Sequence, residues 1–500
     1  MMEIFKILCV IIFFVCAIYY YYTFKYEFWK KRKVIGPKPV LCFGTMKDVI
    51  LRRTSFMEHY RSIYIAYKDA PLVGMFNQTM PILMINDFSL IKEVMTNVVV
   101  FSGRGIKYSK KAEPMNHNLF LMNGKLPLQL RARLSPIFAP NKLKNMYPLL
   151  LQRSEIFNNW LDTQLSQNEE VDCTKIITRL VVDYTTTCLF GYDITNIEDL
   201  DSEIIQYIKK HNDINTLKFM VKTLLPDFVI HNKIYDLIGY YLFDNSKTTE
   251  HFNRFLKNIV NYRKEHDILK HDIVSIFMEL KQKKSMEEIE FTDDFFVAQM
   301  MVCFTAAYES STATISHTLY EIALNHSIQN KLREEIRNLF TKNNGELTFK
   351  DVMTMPYLDA VYKETLRKYP VADIIMRQSS TAYTFTNSEV TIPKDQIVII
   401  PVYGIHFNPE IYPKPENYDP ERFIGEEAPS RQAMHFIPFG HGPRNCIGER
   451  FGITQVKMGL INIVRNYKID LCEKTHEKIC RLESLVQQLK HIYLKISKID

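Results

Sequence analysis

Three long apolar stretches organise the chain. The first runs from Ile7 to Phe24, apolar or aromatic apart from Thr23, and carries no charge. It sits at the lower limit of a membrane-spanning helix. Tyr19 to Tyr22 suit the membrane interface, and the basic run Lys30-Lys31-Arg32-Lys33 follows, which puts everything after residue 30 on the cytosolic side. A cleaved signal peptide is the competing reading, but the segment has no small-x-small cleavage site. The second stretch, Phe295 to Phe340, contains no glycine or proline. Thr292 before Asp293 and Asp294 is a helix start, with acid at the positive end of the dipole. Asn343-Asn344-Gly345 is a stop. A break near Asn325-His326-Ser327 divides the stretch into a very long helix and a shorter one. Met300, Met301, Val302, Phe304 and Ala306 leave few polar faces, so the long helix must cross the interior. The third stretch, Asp172 to Gly191, reads as a core helix. Residues 205–245 mix aromatics, leucine, isoleucine and lysine in an amphipathic pattern. Short β-rich patches between residues 40 and 100, such as Pro81-Ile82-Leu83-Met84-Ile85, predict a small sheet beside the helical body. The fold class is therefore mainly α with a small β region (α+β).

Composition changes this picture little. The chain has 500 residues, enough for a large buried core. Length alone suggests about three domains; the motifs below, spread from Arg131 to Cys446, make sense at one site and point to one catalytic domain. The expected division is a membrane anchor and flank at 1–30, a basic, proline-rich hinge at 31–40 containing Gly36-Pro37-Lys38-Pro39, and the catalytic domain at 41–500. The net charge of +7 is a mild excess. No basic run with interleaved aromatics suggests nucleic-acid binding. Nine cysteines, odd in number and without paired spacing, argue for a reducing compartment and against a disulfide framework.

The chemistry concentrates in Phe439-Gly440-His441-Gly442-Pro443-Arg444-Asn445-Cys446-Ile447-Gly448. Gly440 and Gly442 permit positive φ and close approach to a flat ligand. Pro443 stiffens the loop. Amides around Cys446 can point at its sulfur and favour a thiolate. Gly448 leaves room beside a planar group, and Arg444 can neutralise an anion on the same face. One cysteine cannot close a zinc site. It can serve as the axial thiolate of haem iron, where the porphyrin supplies the other ligands.

This loop resembles that of cytochromes P450, whose pattern Phe-x-x-Gly-x-Arg-x-Cys-x-Gly is matched at all five fixed positions. The resemblance extends through Ala306-Ala307-Tyr308-Glu309-Ser310-Ser311, similar to the family's Ala-Gly-x-Glu-Thr-Ser/Thr motif. Ser310 takes the threonine position and Ala307 the glycine position. Glu364-x-x-Arg367 and Pro420-Glu421-Arg422-Phe423 resemble the family's buried scaffold network, which implies that Glu364, Arg367 and Arg422 support the cysteine loop; an exposed i,i+3 pair is the plain alternative. Leu126 to Phe138 resembles the Trp-x-x-x-Arg helix, with Arg131 in place and Pro127 where tryptophan is usual. Proline is tolerated there if it opens the first turn.

The resemblance implies the cytochrome P450 fold with an N-terminal transmembrane helix, and haem b bound through Cys446. It implies contacts from Phe439 and Ala306, and propionate binding by Arg131, Arg377 and Arg444. Proton handling falls to Glu309 and Ser310. The chain carries no Gly-x-Gly-x-x-Gly unit for a nucleotide cofactor. Electrons must then come from a partner, which the resemblance implies is NADPH–cytochrome P450 reductase, with cytochrome b5 as a further candidate, docking at basic residues such as Arg131, Arg133, Lys142, Lys144 and Arg450. The implied activity is insertion of one oxygen atom from O2 into a lipophilic small molecule at the endoplasmic reticulum membrane. The style is nearest to insect microsomal members that oxidise plant compounds and insecticides. The competing functions are a haem-thiolate isomerase or dehydratase, whose relatives usually lose the acid–alcohol pair, and a non-catalytic haem-binding protein.

Overall fold

The computed structural model describes residues 2–106, 108, 113–191, 246–266, 272–283, 292–424, 433–475 and 491–499. The amphipathic stretch at 205–245 lies outside the described residues. Helix α1 (Met2–Lys31) is long and apolar enough to cross a membrane, with a mean hydropathy of 2.4 over its most apolar window. Its end does not stand away from the body. Trp29 is buried, and its Nε1 donates to the Met75 carbonyl at 2.8 Å. A Cβ on Gly74 would meet the Trp29 ring at 2.4 Å, so glycine there is what admits the indole. Segment 31–40 then runs along the sheet, with Gly74 N donating to Ile35 O at 2.8 Å.

That sheet has strands β1 (Leu72–Asn77), β2 (Met80–Ile85), β4 (Ile375–Gln378) and β5 (Ile397–Ile400), in the order β1-β2-β5-β4. The outer pairs are antiparallel and β2 runs parallel to β5. A second sheet joins β3 (Glu170–Asp172), β7 (Tyr493–Lys498) and β6 (Tyr467–Asp470) in that order. The rest of the frame around the site is mainly helical, with irregular loops between.

Short-range cap chemistry sets the helix ends. Pro127 sits in the first turn of α2 (Leu126–Leu134), where its missing N–H costs nothing. Asp172 caps α3 (Cys173–Thr185) by accepting from Lys175 N, and a wider π turn carries the chain on to Gly191 at φ +55°. Thr292 accepts from Phe295 N and opens α4 (Asp293–Leu324). Asn325 then closes α4 and caps α5 (His326–Lys342), accepting from Ser327 N and Ile328 N. The break expected at this point is one asparagine serving both helices.

Helix α4 packs against α3 and against α8 (Glu449–Asn466), so it is buried on nearly every side. Between Phe295 and Ala323 the one exposed position is Ala306. An exposed alanine in the middle of a core helix faces internal space rather than bulk water. Among the described residues every cysteine is a free thiol.

Candidate functional site

The scaffold beneath the site is a buried charge network. On α6 (Pro356–Lys368), Arg367 grips Glu364 with two bonds, Nε to Oε2 at 2.7 Å and Nη2 to Oε1 at 2.8 Å. Both side chains are fully buried. Arg422 Nε lies 3.5 Å from Glu364 Oε1, and Asp419 N donates to the same oxygen at 2.8 Å. The plain exposed-pair reading therefore fails. Arg367 Nη1 donates at 3.1 Å to the O of His406, the last residue of α7 (Val402–His406), and His406 Nε2 accepts from Ile437 N at 3.3 Å. Ile437 O in turn accepts from Gly440 N at 3.0 Å. The network thus reaches the first glycine of the cysteine loop. Burial pushes His406 down to about 3, so it stays neutral and acts as a fixed acceptor.

The loop folds back on itself. Cys446 N donates to Phe439 O at 2.8 Å, and Gly440 and Gly442 adopt φ of +74° and +71°. A Cβ on Gly442 would stand 2.3 Å from Met95 O, so glycine is required there for space as well as for its angle. The backbone of Gly448 supports the Cys446 sulfur, as the glycine-rich sequence suggests. The loop backbone thus favours the thiolate, as expected, but burial of the free thiol outweighs it and pushes its pKa up. A buried thiol of raised pKa is a poor nucleophile. It suits a ligand whose proton is displaced by a metal. Cys446 is nonetheless accessible, and a Cβ on Gly448 beside it meets no protein atom within 4 Å. A side chain that is both desolvated and accessible lines an internal space.

Four arginines converge on that space. Arg131, Arg377 and Arg444 were legible in the sequence; Arg104, in an irregular loop, was not. Arg377 projects from β4, with Nη1 on Met376 O at 2.9 Å and Nη2 on Arg444 O at 3.4 Å. Arg444 reaches Leu119 O and Met122 O at 3.3 Å and Phe120 O at 3.5 Å. Arg104 lies 4.0 Å over the Phe120 ring. Among the described residues none of the four pairs with a carboxylate, and the Nε atoms of Arg104, Arg377 and Arg444 are buried without a partner. Burial and their neighbours' charge lower the pKa of Arg377 and Arg444, each to about 10; Arg104, facing three other guanidiniums, is lowered further. Such crowding is costly unless an anion enters. Arg131 differs: Nη1 donates to Asn445 O at 2.7 Å and Nη2 to Asn445 Oδ1 at 2.6 Å. It clasps the cysteine loop from within and is half-buried, whereas Arg133, Lys144 and Arg450 are exposed.

On α4, Ser310 Oγ donates to Ala306 O at 2.6 Å, and Glu309 accepts from Tyr308 OH at 3.2 Å. The serine takes the preceding turn's carbonyl, and the helix stays α-helical throughout. One wall of the internal space is α4 around Ala306. Cys446 stands within electrostatic reach: burial, with Cys446 nearby, pushes the Cys303 thiol on α4 up to about 12.

Residues on this scale fit a flat dianionic macrocycle with a central metal. One accessible sulfur, a glycine without a side chain beside it, and unpaired guanidiniums for two carboxylates are the features haem demands. The family model for cytochrome P450 matches residues 35–496. The chain is 32% identical over 470 residues to cytochrome P450 6B1 of Papilio polyxenes, covering 91% of each. It is 31% identical to cytochrome P450 6k1 of Blattella germanica, over 92% of this chain and 90% of that one. It is also 31% identical to cytochrome P450 6B2 of Helicoverpa armigera, over 96% and 95%.

Proposed function

Because the chain belongs to the cytochrome P450 family and is thereby a haem-dependent monooxygenase, we propose that Cys446 ligates the iron and that the enzyme oxidises a lipophilic small molecule. NADPH electrons reach it through a membrane-bound flavoprotein reductase, at the endoplasmic reticulum, with the catalytic domain cytosolic. The observation that carries this reading is the accessible but desolvated Cys446 amid four arginines that have no carboxylate partner among the described residues. The haem, when bound, supplies the redox-active iron and the oxygen chemistry. The protein supplies placement, charge and protons.

Cys446 would hold the iron as a thiolate, its proton given up on binding. Arg131, Arg377 and Arg444, joined by Arg104, would neutralise the propionates, and Arg131 also holds Asn445 and hence the loop. Gln variants of Arg377 and Arg444 each remove a buried cation from a carboxylate, a change worth about 2–5 kcal/mol. Transfer of haem to an excess of apomyoglobin should be at least tenfold faster from either variant. Transfer at the wild-type rate from both would remove these residues from the propionate site.

Glu309 and Ser310 handle protons. In the present arrangement the Ser310 hydrogen is directed at Ala306 O, so Oγ accepts from the cavity side and donates only after rotating away. Lacking the methyl that restricts a threonine, it rotates among three wells. Proton delivery is then less well oriented, and part of the NADPH flux ends as hydrogen peroxide. Ser310→Thr should raise product per NADPH, most clearly with Ala307→Gly, and Ser310→Ala should lower it several-fold with the haem spectrum intact. Product, peroxide and NADPH measured together with reductase test this. Equal coupling in all variants, or NADPH-independent turnover, would favour the isomerase or non-catalytic readings.

A further inference from the structure

Glu449 played no part in the sequence reading. It opens α8, three residues past Cys446. Its Oε2 accepts from Asn445 Nδ2 at 3.4 Å. The other end of that amide, Oδ1, accepts from Arg131 Nη2 at 2.6 Å. A side-chain amide has one donor end and one acceptor end. Glu449 and Arg131 therefore agree on which way Asn445 faces, and the three form a carboxylate–amide–guanidinium chain around the residue before Cys446. Tyr362 is buried, and burial, with the negative charge of Glu449, raises the pKa of its phenol. The groups facing Glu449 are thus Asn445 and Arg450 along the chain, Arg131 beyond Asn445, and the neutral phenol of Tyr362 on α6. Arg450, the next residue and exposed, is a counter-charge that favours the carboxylate.

We propose that Glu449 is a positioning residue for electron uptake: its negative charge, tied to the cysteine loop through Asn445, holds the haem reduction potential down. The proposal rests on Cys446 as the iron ligand. One electron enters from the flavoprotein reductase, ferric iron becomes ferrous, and no bond forms or breaks. The centre becomes more negative by one charge. A fixed carboxylate nearby opposes that change, and it does so strongly where the dielectric is low.

The test is a spectroelectrochemical titration of the full-length holoenzyme with chemical reductant and mediator dyes, so that reductase docking plays no part. Glu449→Gln keeps an acceptor for Asn445 and loses the charge. Glu449→Leu loses both. Both should shift the ferric/ferrous midpoint in the positive direction by similar amounts. Arg450→Gln should shift it the other way. Glu449→Leu should in addition lose its thiolate carbon monoxide band faster on standing, because Asn445 is released. Wild-type potentials in both Glu449 variants would overturn the proposal, and so would a shift in Glu449→Leu alone, which would assign the effect to the hydrogen bond. Failure of the Cys446 reading would appear separately, as absence of a thiolate carbon monoxide band in the wild type.

Discussion

Glu364→Ala is expected to destabilise the haem-loaded protein by about 3–5 kcal/mol, the usual result of removing one partner from a buried ion pair. Arg367 would be left fully buried with no anion, and Arg422 would lose the carboxylate 3.5 Å from its Nε. Asp419 N would lose its acceptor. A native protein has roughly 5–15 kcal/mol in hand, so the loss takes a large share of it. The effect should reach the haem, because the same network continues through His406 and Ile437 to Gly440. Thermal decay of the thiolate carbon monoxide band should therefore occur at a clearly lower temperature, and less haem should be retained on purification. Glu364→Gln, which keeps an acceptor oxygen but not the charge, should fall between. An alanine variant that melts with the wild type would show that the network does not support the loop.

The features legible in the sequence were those fixed by local chemistry. Thr292, Asn325 and Asp172 announce helix ends because a short polar side chain there satisfies nearby amides whatever the tertiary fold. The loop from Phe439 to Gly448 was legible because its glycines answer to backbone angles, seen at Gly440 and Gly442. What local chemistry does not fix could not be read. Arg104 is a single arginine in an irregular segment, and only the folded chain brings it beside Arg377 and Arg444. Asn445 and Glu449 carry no periodic or motif signal, yet they decide where Arg131 points. Arg131 itself was read both as a propionate ligand and as an exposed docking residue; its bonds to Asn445 turn it inward. The sign of the Cys446 shift was also out of reach, since it depends on how much protein surrounds the sulfur as well as on the amides next to it.

The largest expected effect belongs to Cys446, and it is also the most direct test of the account. Two thiols, Cys446 and Cys303, lie close enough to influence each other, and Cys303 is held on α4 with its pKa pushed up to about 12. Replacing each in turn separates them. Cys446→His keeps an axial donor but removes the sulfur, and Cys303→Ala removes the neighbouring thiol. The measurement is the carbon monoxide difference spectrum of the reduced proteins. The account predicts the red-shifted Soret band of a haem thiolate in the wild type and in Cys303→Ala, and its complete replacement by a shorter-wavelength band in Cys446→His. A red-shifted band that survives in Cys446→His would contradict it.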